Sequence, residues 1–134
     1  MITIDKPLWL ETKYRHFPSL PSSASCDVAI IGAGITGITI AKLLTDKGVN
    51  VAIIEADRVA SGTTSKTTAK ITMQHGLKYN YLIDKFGIDR ALLYAKANQI
   101  GMDTIRDFIK LYNIDCDYKT VSAYVYTEYL DRIK

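Results

Sequence analysis

Three glycines, Gly32, Gly34 and Gly37, stand in the spacing Gly-x-Gly-x-x-Gly, and an acid, Glu55, lies 18 residues beyond the third. Those types at that spacing can bind a dinucleotide. Gly32 permits a tight turn, Gly34 lets a pyrophosphate approach the backbone because it has no Cβ, and Gly37 lets a helix lie close to a sheet. The phosphates would sit at the helix N-terminus, where free N–H groups and the positive end of the macrodipole stabilise an anion without a basic side chain. A carboxylate at position 55 can accept hydrogen bonds from the adenosine ribose hydroxyls, and it would repel the 2′-phosphate of NADP.

The segments around these residues supply the elements that must position them. Val28 to Ile31 is a short apolar run suited to a parallel strand buried on both faces. A helix is expected from about Ile35 to Lys47, with Ile38, Ala41 and Leu44 on one face and Gly48 as its stop. Val51 to Ile54 is a second strand, which the right-handed crossover rule places beside the first. The expected class is therefore α/β: a Rossmann-like FAD/NAD(P)-binding βαβ unit, incomplete, followed by helices and the first strands of a second domain. A lone glycine motif is weak evidence, but here it lies between a strand and a helix with the acid at the expected distance. The competing reading is a doubly wound domain whose glycine turn holds no ligand.

Choosing between NAD and FAD depends on the residues after Glu55. Ser61 to Thr72 carries five threonines, two serines and a glycine. Their hydroxyls and backbone N–H groups could solvate pyrophosphate and ribityl oxygens, although composition alone fits a solvated surface loop equally well. Three stretches together resemble the N-terminus of the D-amino-acid oxidase-like superfamily of FAD-dependent oxidoreductases, which includes glycine and sarcosine oxidases. They are Gly32-Ala33-Gly34-Ile35-Thr36-Gly37, Glu55-Ala56-Asp57-Arg58, and Gly62-Thr63-Thr64-Ser65-Lys66-Thr67-Thr68-Ala69-Lys70-Ile71. Thr67 to Gly76 is most similar to the branch whose full-length members carry a C-terminal Rieske iron–sulfur domain.

The resemblance implies FAD as cofactor, with Gly32, Gly34 and Gly37 holding the pyrophosphate turn, Glu55 binding the adenosine ribose, and Ala33, Ile35, Thr36 and Ala56 as further cofactor-binding residues of the same stretches. It puts Arg58 near the adenine or phosphate end, and it puts Thr63, Thr64, Thr67, Thr68 and Ala69 in a loop passing under the flavin. Many members have Ser and Arg or Asn in that loop where this chain has Thr64 and Lys66. For the intact protein it implies oxidation of an amine, amino acid or hydroxy compound by hydride transfer to flavin. No residue of this chain stands out as a catalytic acid, base or nucleophile. Two rivals stay open: an NAD-binding dehydrogenase domain, favoured if the Ser61 to Thr72 loop faces solvent away from the glycine turn, and a non-catalytic module or subunit of a split oxidoreductase.

Superfamily members need several hundred residues, so the chain is expected to be an N-terminal fragment. The expected divisions are a strap over 1–25 that packs Trp9 and Phe17 onto the domain, a partial FAD-binding domain with a helical insertion over 26–115, and the start of a substrate domain over 116–134. Such a fragment would leave an apolar sheet edge and face for missing domains or self-association to cover.

The remainder is patterned but chemically quiet. A short helix is expected over Leu77 to Phe86 and a longer one from Gly87 to about Tyr112, whose stripe of Ile88, Leu92, Ala95, Met102, Ile105, Ile109 and Tyr112 reads as core. Gly101 would mark close packing or a bend in it. Strands are expected at Cys116 to Lys119 and Val121 to Thr127, then a helix at Glu128 to Lys134. A net charge of +3 with interleaved signs lacks the clustered basic footprint of a nucleic-acid binder, despite eight tyrosines after residue 78. Cys26, Cys116, His16 and His75 have no metal-ligand spacing, and the two distant cysteines suit a reduced, cytoplasmic setting. His75 comes just after the threonine loop and is read as structural before functional. No apolar run reaches the ~20 residues that span a bilayer.

Overall fold

The computed structural model describes residues 7–20 and 22–129 and divides into two units, residues 1–69 and 70–134. In the first unit the order is β1 (Val28–Ile31), α1 (Ile35–Thr45) and β2 (Val51–Ile54). The two strands pair in parallel, with Val28 opposite Val51 and Ile31 opposite Ile54. Parallel neighbours cannot be joined by a hairpin, and α1 supplies the crossover. It lies on the sheet with Gly37 and Ala41 buried and Leu44 half-buried. Ile38, expected on that face, is 38% exposed.

The helix ends at Thr45, two residues before the expected Lys47. The Lys47 N–H already bonds the Leu44 carbonyl at 2.9 Å, and Gly48, at φ +79°, bonds Thr45 at 2.9 Å. A tightened turn thus closes the helix before the glycine. Burial on both faces, expected for the first strand, does not occur, because β1 alternates. Val28 and Ile30 are half-buried, whereas Ala29 and Ile31 are exposed, Ile31 by 79%. Within this unit α1 packs on the sheet, and Ala29 and Ile31 stand open on the strand's alternate face.

Two short 3-10 turns complete this unit, Leu8–Leu10 in the N-terminal strap and Thr63–Lys66 in the loop after β2, and they lie against each other. Trp9 is engaged there, but Phe17 is 64% exposed and does not pack as expected. Phe17 lies beyond the strap's 3-10 turn, where the Arg15 guanidinium, 5.7 Å from its ring centroid, does not bury it.

The second unit holds α2 (Lys78–Phe86) and α3 (Ile88–Leu111), which pack on each other and are separated by Gly87 at φ +82°. The buried line of α3 is turned from the expected stripe. Ala91 is 3% exposed and Tyr94, Ala95, Asn98, Met102, Ile105 and Ile109 are half-buried, whereas Ile88, Leu92 and Tyr112 face outward. Gly101 lies within the unbroken helix, and a Cβ built there meets nothing within 4 Å, so close packing does not explain it.

The strands expected at Cys116 to Lys119 and Val121 to Thr127 do not form. Residues 113–129 contain no regular element and are exposed throughout. A strand needs a hydrogen-bonded neighbour, and β-branched and aromatic residues supply propensity without one. Of the helix expected at Glu128 to Lys134, residues 130–134 lie outside the described residues. Both cysteines are free, and Cys26 is half-buried.

Candidate dinucleotide site

The site begins where β1 runs into α1. Gly32 sits at φ +99°, a conformation that a side chain would strain, and its N–H bonds the Ile54 carbonyl at 2.7 Å. The chain therefore turns sharply out of the strand while still tied to β2. A Cβ at Gly37 would lie 2.1 Å from the Gly32 carbonyl oxygen, so the first turn of α1 can approach the sheet this closely only with glycine there. At Gly34 an added Cβ would stand 3.3 Å from Thr64 Oγ1. The three glycines serve three separate steric needs.

Ala33, between the first two glycines, is 2% exposed. Its N–H donates to Glu55 Oε2 at 2.7 Å, and its carbonyl accepts from Ala60 at 2.9 Å. Glu55 also accepts the Asp57 N–H through Oε1 at 3.1 Å. The Ala33 bond first, then those of Asp57 and Ala56, hold the Glu55 carboxyl below the usual carboxylate range; desolvation opposes them and is outweighed. Glu55 is thus an ionised group fixed to the glycine turn, with lone pairs left to accept from hydroxyls.

The first turn of a helix leaves N–H groups with no intrahelical acceptor. Here the Ile35 N–H finds Thr64 Oγ1 at 3.0 Å, since Gly34 at the N-cap has no side chain to offer. Thr64 belongs to the 3-10 turn, whose Ser65 is 2% exposed and donates its hydroxyl to the carbonyls of Ser61 and Gly62. The threonine-rich segment is consequently folded against the glycine turn from Ser61 to Thr67.

An open cleft of about 860 Å³ lies between them. Of the residues expected from sequence, Gly32, Gly34, Ile35, Thr36, Gly37, Glu55, Thr63, Thr64 and Thr67 line it. Ala33 stands behind as the partner of Glu55. Ala56, Arg58, Thr68 and Ala69 do not line it. Ala69, at φ +58°, bonds its N–H to Thr67 Oγ1 at 3.2 Å, and Thr68 is exposed. Arg58 donates to the carbonyls of Leu10 at 2.8 Å and Thr12 at 3.0 Å and lies 3.6 Å over the Tyr14 ring. Its guanidinium ties down the strap. Asp57 and Ser61, named from sequence only as parts of longer stretches, and Ala60, not named at all, also line the cleft. Ser61 was visible as part of the hydroxyl-rich run, but nothing marks Ala60, whose φ of +60° belongs to the fold. In the second unit, His75 Nδ1 and the Tyr94 hydroxyl lie 3.0 Å apart, and Tyr94 stacks edge-on to Tyr79.

A family model described as FAD dependent oxidoreductase matches residues 27–134. The chain belongs to that flavoprotein family. Among curated proteins it is 48% identical over 116 residues to the "Putative Rieske 2Fe-2S iron-sulfur protein YhfW" of Bacillus subtilis, covering 87% of this chain and 23% of that one. It is 31% identical over 113 residues to the gamma-glutamylputrescine oxidoreductase of Escherichia coli, covering 84% of this chain and 26% of the relative. Human flavin-containing amine oxidase B is 46% identical over 86 residues, 63% of this chain and 15% of the enzyme. The flavoprotein chain thus spans about a quarter of the length of the first two relatives. No solved structure matches it.

Proposed function

We propose that this chain forms the ADP-binding half of an FAD site in an oxidoreductase acting on an amine, amino acid or hydroxy compound. The observation that carries the reading is the position of the threonine loop. A nicotinamide dehydrogenase unit would have that loop facing solvent away from the glycine turn; instead Thr64 Oγ1 accepts the Ile35 N–H and Thr63, Thr64 and Thr67 line the cleft. The residues present fit the cofactor's polar half. The bare Gly34 backbone leaves room for a pyrophosphate, and the fixed carboxylate of Glu55 offers acceptors to a ribose.

In this reading the Thr64 hydroxyl yields the Ile35 N–H to a phosphate oxygen and turns to donate to it, so that both groups keep a partner. Glu55 orients the ribose while holding the Ala33 N–H. Thr63 and Thr67 extend the polar wall along the cofactor. Bound flavin would supply the two-electron acceptor for hydride removal from substrate. This chain's part is to anchor it. The substrate contacts would come from residues beyond those described. The names of two of the relatives, an iron–sulfur protein and a gamma-glutamylputrescine oxidoreductase, favour an amine substrate and a protein-borne electron acceptor for the whole molecule.

No helix among the described residues is long and apolar enough to cross a membrane. Titration of the purified chain with FAD, monitored by the change in flavin fluorescence, tests the proposal. A saturable change that is competed by ADP and abolished by Gly34→Val is expected; no saturable change, or one insensitive to both, would refute it.

A further inference from the structure

Trp9 is the strap's contact with the cleft. Its indole N–H donates to the Thr67 carbonyl at 2.7 Å across 58 residues of sequence, although the side chain is 42% exposed. A tryptophan so exposed contributes less by burial than by where its donor points. The donor points at the end of the 3-10 turn that lines the cleft. Thr67 in turn donates its N–H to the Thr64 carbonyl at 3.3 Å, and Thr64 carries the hydroxyl that meets the Ile35 N–H. One chain of bonds therefore runs from the strap through the loop to the first turn of α1.

The strap end of that chain is itself fixed. Arg58 grips the carbonyls of Leu10 and Thr12 and lies on the Tyr14 ring, which pins the backbone on the C-terminal side of Trp9. The Leu8–Leu10 turn closes through Leu10 N–H to the Pro7 carbonyl at 2.9 Å. A 3-10 segment of three or four residues is too short to hold its shape alone, and here two of them, Leu8–Leu10 and Thr63–Lys66, brace each other.

We infer that Trp9 is a positioning residue for the dinucleotide cleft: by fixing the Thr67 carbonyl it holds the Thr63–Thr67 turn in the shape that presents Thr64 to the α1 N-terminus. This rests on the FAD reading for its consequence in binding, but the positioning itself is testable without ligand. Arg58 then serves the cleft through the strap and not by contact.

The test is Trp9→Phe, which keeps an aromatic ring and removes the N–H, made in the full chain and studied by amide hydrogen exchange without ligand. The Ser65 and Thr67 amides are expected to exchange about five- to tenfold faster, the scale of one hydrogen bond's net worth, while Gly32, bonded to Ile54 in the sheet, keeps its rate. In a second arm the FAD dissociation constant should rise by about the same factor. Unchanged loop exchange would overturn the inference. So would a uniform acceleration of loop and sheet, which would make Trp9 an ordinary stabilising residue, and so would a loosened loop with unaltered FAD binding. If the unsubstituted chain bound no FAD, the functional reading would fail, and the exchange rates would still decide whether Trp9 positions the loop.

Discussion

Glu55 shows how one side chain can serve both fold and ligand. Its carboxylate is held ionised by backbone donors, the Ala33 N–H above all, and that bond fixes the glycine turn to the end of β2. The folded-state pKa lies below the unfolded one, so the carboxylate's contribution is complete above the ordinary glutamate value and is lost as acid carries the pH through the lowered folded value. Stability measured by denaturant titration should therefore be flat at neutral pH and fall on that acid limb. Glu55→Gln should flatten the limb and weaken FAD binding by about tenfold, the loss expected of a hydrogen bond to a charged group. Gly37 is the more severe position. With Gly32 O only 2.1 Å from where a Cβ would stand, Gly37→Ala must push α1 off the turn. A cost of about 1–3 kcal/mol is expected, with FAD binding lost, as read by chemical denaturation and ligand titration of the same sample.

At the scale of elements, α3 offers a test in the opposite direction. Gly101 interrupts no packing, and the helix passes through it unbroken. Gly101→Ala should therefore stabilise the second unit by about 0.5–1 kcal/mol, seen as a raised denaturation midpoint of its helical signal. A destabilised variant would mean that a neighbour approaches there after all. Residues 113–129 explain where sequence reasoning stopped. β1, α1 and β2 were legible because each is specified locally: apolar runs of strand length, and a glycine motif whose spacing has one steric solution. Cys116 to Thr127 has strand composition without a strand, because pairing depends on a partner that composition cannot provide. The same limit applies to α3, where a three- and four-residue spacing identified the helix but placed Leu92 in the core and missed Ala91. In the cleft, the glycines, Glu55 and the threonines were visible as types. The Thr64–Ile35 and Trp9–Thr67 bonds were not, since each joins residues far apart in sequence through a turn whose geometry is set by the fold.

At the scale of the whole molecule, many large apolar side chains are exposed on the described surface. Ile31, Ile35, Ile53, Leu92, Leu93 and Ile100 are among many large side chains left open. Such surface drives association through exclusion of water. Sedimentation should show concentration-dependent self-association that persists in high salt, because charge pairing is not its source. The central claim, that the glycine turn and threonine loop together form the polar half of an FAD site, is tested most directly by thermal shift of the purified chain with FAD and with NAD side by side. The account predicts a saturable rise in midpoint with FAD that NAD at the same concentration does not match. Stabilisation by NAD alone would contradict it.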